Sequence, residues 1–237
     1  MPNATIPAIS LQGLFLAFVP TAIVIGMMLR WGSIAKTAIY ATVRMLVQLS
    51  LVGYVLIYVF EAEQWPLIAF ILVIMLTVSS WIAIRPLDSR NIRAYLHALS
   101  AIAIGGVLTL GLVTQLVIDV EPWFSPQYVV PLAGMIFAAS MNSVSLAAER
   151  FQAETSRGTD YLEARRTALQ ASLIPIINSL FAVGIVALPG MMTGQILSGV
   201  SPLIAAQYQI VVMTMLFGAT GISAVSYLSF QRSPDIR

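Results

Sequence analysis

The chain has no cysteine and only one histidine among its 237 residues. Without thiols there can be no disulfide, no thiolate metal site and no cysteine nucleophile. The lone imidazole, His97, has no second histidine or cysteine with which to share a metal, so a structural role is expected for it. Charge is also scarce: 9% of residues are charged, whereas soluble domains carry about a quarter. A net charge of +2 is too small to argue for nucleic acid as a partner. There is no His-Glu-x-x-His pair and no Gly-x-Ser-x-Gly elbow, so no residue is assigned a catalytic role. An intramembrane enzyme would lack its nucleophile–base pair. No Gly-x-x-x-x-Gly-Lys-Ser/Thr loop is present either, so the chain does not cradle ATP by that route. If ATP powers it, another subunit must supply the site. The only lysine, Lys36, lies outside the apolar runs, which excludes a retinal Schiff base. The first cation is Arg30, so the amino terminus lacks the charged region of a signal peptide, and the first apolar run is read as a permanent span.

What is abundant is apolar surface, at 59% of positions. A hydrocarbon core about 30 Å thick needs roughly 20 apolar residues in helical form. Seven segments meet that test, near 10–29, 37–60, 66–84, 94–118, 127–148, 168–189 and 202–230. The expectation is a single all-α membrane domain over 1–237, without a clear internal repeat. The twelve cations mark its orientation. Arg30 and Lys36, then Arg85, Arg90 and Arg93, then Arg150, Arg157, Arg165 and Arg166, then Arg232 and Arg237 occupy alternate breaks, and Arg44 lies just inside a span at the same face. The intervening breaks hold Glu61, Glu63, Asp119 and Glu121 and no cation. Lys and Arg accumulate in cytoplasmic loops, so the amino terminus is expected outside and the carboxyl terminus inside a cell (inner) membrane. Trp65, Trp123 and Tyr128 fall at the outer interface and Trp31 and Trp81 near the inner one, the levels amphipathic aromatics favour.

Two loops stand out. The polar stretch Glu149–Arg166 is expected to be helical on both sides of a break at Gly158. The outer loop Leu188–Pro202 carries no charge and begins with Pro189, Gly190, Met191 and Met192. An apolar loop rich in Gly and Pro suggests a re-entrant or interfacial turn held against other helices.

Within the spans, Arg44 is the exceptional ionisable group, about 7 residues and on the order of 10 Å inside the second span, with Gln48 one turn further along the same face. It either snorkels to headgroups or is fixed inside the bundle by polar partners. No Asp or Glu lies at mid-membrane, which argues against an ion-driven carrier. Polar residues collect in the last three spans: Ser140, Asn142, Ser143 and Ser145, then Asn178 and Ser179, then Gln209, Thr214, Thr220 and Ser223. Gly134, Ala138 and Asn142 share one helical face. Such residues serve either as glue between helices or as a polar lining for a translocation path. Pro175 should kink the sixth span. The Met191–Met192 pair either fills gaps or offers thioethers to a soft metal; no residue set specifies the metal.

Several blocks point further. Ile174-Pro175 with Asn178-Ser179, Leu188-Pro189-Gly190-Met191-Met192-Thr193-Gly194-Gln195, Tyr208-Gln209-Ile210, Met141-Asn142-Ser143-Val144-Ser145, and Arg44 with Gln48 and Gly53-Tyr54 together resemble the FetB (YbbM) family of ABC-transporter permeases. The similarity covers about residues 37–230. It implies a membrane permease that works as a homodimer with a separate ATPase subunit, binding no cofactor itself, with ATP held by the partner. Bacterial members are linked to iron export and plant members to aluminium tolerance, where a sugar nucleotide has been proposed as cargo. Better-known members have a longer loop after the fifth span, with a Leu-Gly-Ala-Thr-like turn; here Arg157-Gly158-Thr159-Asp160 takes that place.

The expected function is therefore export of iron or a metal-related cargo by the membrane subunit of an ATP-driven transporter. Arg44, Gln48, Asn142, Ser145, Asn178, Ser179 and Gln209 are candidates for the path. Glu149, Arg150, Glu154, Arg157, Gly158, Glu163, Arg165 and Arg166 are candidates for docking the ATPase, against the alternative of a merely solvated loop. The rival reading is a nucleotide-independent channel or scaffold.

Overall fold

The computed structural model describes residues 9–32, 34–61 and 64–231. Glu63, Arg232 and Arg237, part of the charge pattern, lie outside them. The described residues form helices joined by short turns, with no strand among them. Their contacts divide into two compact units, 1–61 and 62–237.

The first unit contains α1 (Leu11–Ala17), α2 (Val19–Arg30) and α3 (Ala35–Phe60). Ser10 caps α1 by accepting from the Gly13 amide at 3.1 Å. Pro20, in the first turn of α2, has no amide hydrogen to continue α1, so the chain pauses at Phe18 and restarts. Few side chains are buried within this unit, and most of its apolar residues face outward.

The second unit is built from α4 (Trp65–Ala83), α5 (Ile92–Leu112, extended by a π-helical turn at Val113–Val117), α6 (Pro126–Ser156), α7 (Tyr161–Ala182), α8 (Gly190–Leu197) and α9 (Pro202–Phe230). α6 and α9 form its centre. α6 packs on α4, α5, α7 and α9, while α9 also meets α5, α7 and α8. The buried core lies where these two helices face α5: Ala98, Ala101, Ile102, Ile136, Val144, Ala219 and Ala224 are all sealed from solvent. Small residues permit that approach. A Cβ on Gly105 would fall 2.2 Å from the Ser223 hydroxyl oxygen and 2.7 Å from the Ala219 carbonyl oxygen. One on Gly106 would fall 2.8 Å from the Phe137 ring. This seam differs from the Gly134–Ala138–Asn142 face singled out by spacing: Gly134 approaches Met75, but Ala138 and Asn142 are exposed.

Among the described residues, six helical stretches are long and apolar enough to cross a membrane: 11–30, 35–60, 65–83, 92–117, 126–156 and 202–230. The protein is thus a multi-pass, all-helical membrane protein. The segment expected at 168–189 is helical only to Ala182 and is not among the six. The helix that contains it, α7, begins at Tyr161 and carries Glu163, Arg165 and Arg166 in its first turns, and Gly184, at φ +84°, turns the chain after it. The apolar loop that follows folds into α8, which rests on α9 with its other side exposed.

Contacts gather the cation-bearing turns of this unit at one end. Gln152 donates to Asp88 Oδ2 at 2.7 Å, Arg165 Nη2 to the Ser229 hydroxyl at 3.3 Å, and the Tyr161 hydroxyl to the Gln231 carbonyl. At the other end the Trp65 and Trp123 rings lie 6.4 Å apart, beyond the stretch holding Asp119 and Glu121.

Candidate functional site

Three helices border a partly open cavity of about 250 Å³ half-way along the second unit. α6 supplies Asn142 and Ser143, α7 supplies Ser172, Pro175 and Ser179, and α9 supplies Thr220. Their hydroxyl protons are all given to main-chain carbonyls. Ser143 donates to the Ser172 carbonyl at 3.4 Å, Ser172 to Leu169 at 2.8 Å, Ser179 to Pro175 at 2.9 Å and Thr220 to Leu216. A hydroxyl has one donor and two acceptor lone pairs, so what remains for a guest is oxygen lone pairs. Pro175, lacking an amide hydrogen, leaves the carbonyl four residues back, that of Ala171, without its helical partner, though Ala171 does not line the cavity. Asn142 is exposed, and its carboxamide makes no hydrogen bond among the described residues. Beside the apolar Ala139, Leu146, Ile176 and Leu216, the cavity offers a guest hydroxyl lone pairs and the Asn142 carboxamide, which both donates and accepts, and no charged group.

Of the residues expected along a path, Asn142 and Ser179 meet here. Asn178 is exposed beside the chamber without lining it, and Ser145 is half-buried on α6. Gln209 is buried and lines a different cavity nearer the α8 end. Arg44 and Gln48 belong to the first unit, where Arg44 is half-buried and Gln48 exposed. Ser172 was missed by the sequence reading; the signal available was its position one turn before Pro175. The thioethers of Met191 and Met192 diverge. Met191 faces a small cavity with Tyr128 and Tyr208, and Met192 faces the cavity of Gln209.

The polar loop has the expected break: α6 ends at Ser156, Gly158 adopts φ +81°, and Asp160 caps α7 by accepting from the Leu162 amide at 3.0 Å. A positive φ is cheap only for glycine. Glu154 is turned inward, 8% exposed. It accepts from Arg150 at 2.6 Å and from the Thr159 hydroxyl at 3.0 Å, forms an ion pair with Arg157 at 3.6 Å, and so ties both sides of the turn together. Arg165 lies over the Tyr161 ring, 5.5 Å from its centroid. Glu149, Arg157, Gly158, Glu163 and Arg166 form the exposed part of the loop, and Arg150 is half-buried.

Residues 10–233 match the family model described as "Uncharacterised protein family (UPF0014)". The chain belongs to the UPF0014 family. Among its relatives, UPF0014 membrane protein slr1647 of Synechocystis is 33% identical over 84% of this chain and 83% of its own length. The probable iron export permease protein FetB of Escherichia coli is 30% identical over 84% of this chain and 82% of its own. Protein ALUMINUM SENSITIVE 3 of Arabidopsis thaliana is 31% identical over 82% of this chain and 75% of its own. No solved structure matches. The UPF0014 match spans both units of the fold, so the acceptor-lined chamber and the Gly158 loop both fall within it.

Proposed function

We propose that this UPF0014 protein is the permease subunit of an ATP-driven exporter in the cell (inner) membrane, and that its cargo is iron or a metal-related cation. The observation that carries the reading is the cavity bordered by Asn142, Ser143, Ser172, Ser179 and Thr220, whose hydroxyl protons are already given to main-chain carbonyls. Hard cations favour neutral and anionic oxygen ligands. Neutral oxygens without a carboxylate suit a cargo that must leave as readily as it enters. The name borne by the Escherichia coli relative, a probable iron export permease, points the same way.

Two copies would pair, each engaging a separate ATPase through the exposed face of the Glu149–Arg166 loop. The rigid turn at Gly158 gives that loop a form able to carry a push into α6 and α7. This chain performs no hydrolysis and binds no cofactor; ATP resides on the partner. α7, the turn at Gly184 and α8 would together make the seventh crossing, leaving the carboxyl terminus at the cation-rich face.

The test is reconstitution with the ATPase in inverted vesicles. ATP should drive ferrous-ion accumulation, and Asn142→Leu combined with Thr220→Val should reduce it about tenfold or more while the complex still assembles. Accumulation that proceeds equally without nucleotide would establish the rival, a passive channel. The same accumulation in the double variant would remove the chamber from the path.

A further inference from the structure

Nearer the α8 end, the seam between α7 and α9 holds a second cavity, of about 350 Å³, that is chemically unlike the first. Leu180 and Val183 close it from α7 and the turn that follows, Met192 from α8, and Ile210 and Met213 from α9. No charged side chain lines it. Thr214 borders it, but its hydroxyl proton goes to the carbonyls of Ile210 at 2.9 Å and Val211 at 3.0 Å, which leaves it lone pairs only. The one polar side chain there without any hydrogen bond is the carboxamide of Gln209. Gln209 is 5% exposed; its Oε1 is sealed from solvent, and its side chain makes no hydrogen bond among the described residues. An unpaired buried amide is disfavoured. A largely apolar cavity with one well-placed polar group is the usual make-up of a small-molecule site.

We propose that this cavity binds a membrane-soluble amphiphile carrying a single uncharged hydroxyl, of the long-chain alcohol class. Its chain lies among Leu180, Val183, Met192 and Met213, and its hydroxyl meets Gln209. A hydroxyl both donates and accepts, so it pairs with whichever carboxamide atom faces the cavity. A charged head would be desolvated without a counter-charge. The volume falls in the range of about 300–1,000 Å³ that such sites occupy. On the same segments of chain, next in sequence to lining residues or one turn away, Phe181 is 79% exposed, Ile185 90% and Leu203 79%. Such exposed apolar side chains on a membrane helix and the turn after it suit access from the bilayer rather than from water. The site is independent of the transport reading, since the acceptor-lined chamber lies further along the same helices, between Ser172–Ser179 and Leu216–Thr220.

The experiment uses the whole chain in nanodiscs with two photoactivatable probes of equal length, a diazirine-bearing dodecanol and a diazirine-bearing dodecane. The alcohol should label residues 180–184, 192 and 206–214, and plain dodecanol should compete. Gln209→Leu should weaken alcohol labelling about two- to tenfold, the loss of one neutral hydrogen bond, and leave alkane labelling unchanged. Met213→Trp, which fills the cavity, should abolish both. Elution of each variant at the native volume controls for folding, and if Met213→Trp misfolds the Gln209→Leu comparison alone decides. Equal labelling by both probes, insensitive to Gln209→Leu, overturns the proposal, as does cross-linking of Met192 and Met213 to a second copy of the chain.

Discussion

The Tyr161 hydroxyl donates to the main-chain carbonyl of Gln231, seventy residues further along the chain, and so fastens the start of α7 to the end of α9. Phe151 of α6 packs edge-on against the same ring, with centroids 5.9 Å apart. The three helices that border the acceptor-lined chamber are thus joined at one aromatic side chain beside the Gly158 turn. Tyr161→Phe keeps the ring and loses only the hydrogen bond, a loss of about 0.5–1.5 kcal/mol. Nearly native thermal stability is expected, together with less cargo moved per ATP hydrolysed by the reconstituted complex. A native ratio would show that α7 and α9 need no such fastening to move together.

Glu154 holds the loop from inside. Glu154→Ala leaves Arg150 without its 2.6 Å partner and Thr159 without an acceptor. The expected cost is about 1–3 kcal/mol, read as a lower melting temperature in detergent and faster proteolysis near Arg157. Glu163→Ala, an exposed position, serves as the comparison and should leave both readings unchanged.

Gly105 admits no side chain. Gly105→Ala would put a methyl group 2.2 Å from the Ser223 hydroxyl oxygen and against α9 backbone, so α5 and α9 must separate. A loss of about 1–3 kcal/mol is expected from overpacking. Nothing lies within 4 Å of a Cβ at Gly111, on the same helix. Gly111→Ala should therefore be neutral or stabilising by about 0.5–1 kcal/mol. Thermal unfolding of the two variants side by side separates a close helix crossing from a general intolerance of substitution in α5.

The Gly105–Ser223 contact also shows where sequence reading reaches its limit. Apolar run length and the placement of Arg85, Arg90, Arg93, Arg150 and Arg157 revealed the helices and their common end, because lipid rejects charge whatever the packing. The turn at Gly158 was legible because polar residues flank a glycine. Which face of each helix meets protein was not legible. In a bilayer both the lipid side and the core side are apolar, so periodicity does not single out Gly105 or Gly106. The Gly134–Ala138–Asn142 stripe was a real face, but spacing alone could not say that Ala138 and Asn142 are exposed. Asn178 and Ser179 are adjacent in sequence and so point about 100° apart on a helix, which is why only Ser179 lines the chamber. Glu154 read as a surface charge because nothing in its own sequence shows that Arg150, Arg157 and Thr159 close around it.

The absence of cysteine makes the membrane arrangement directly testable, since every introduced thiol is the only one present. Ser89→Cys, Arg157→Cys, Glu121→Cys and Val186→Cys place one thiol each in the α4–α5 turn, the α6–α7 turn, the α5–α6 connection and the turn after α7. All four positions are exposed. Whole cells are treated with a membrane-impermeant maleimide, with and without permeabilisation. Carrying cations across a bilayer is disfavoured, so the thiols at 89 and 157 should react only after permeabilisation and the thiol at 121 should react beforehand. Position 186 decides the role of α7. It lies past the helix that carries Arg165 and Arg166, at the α8 end of the bundle. Labelling in intact cells means that α7 completes a crossing despite its charged first turns, which gives seven crossings. Labelling only after permeabilisation means that it does not, and the export mechanism, which needs α7 to form a wall between the two faces, fails with it.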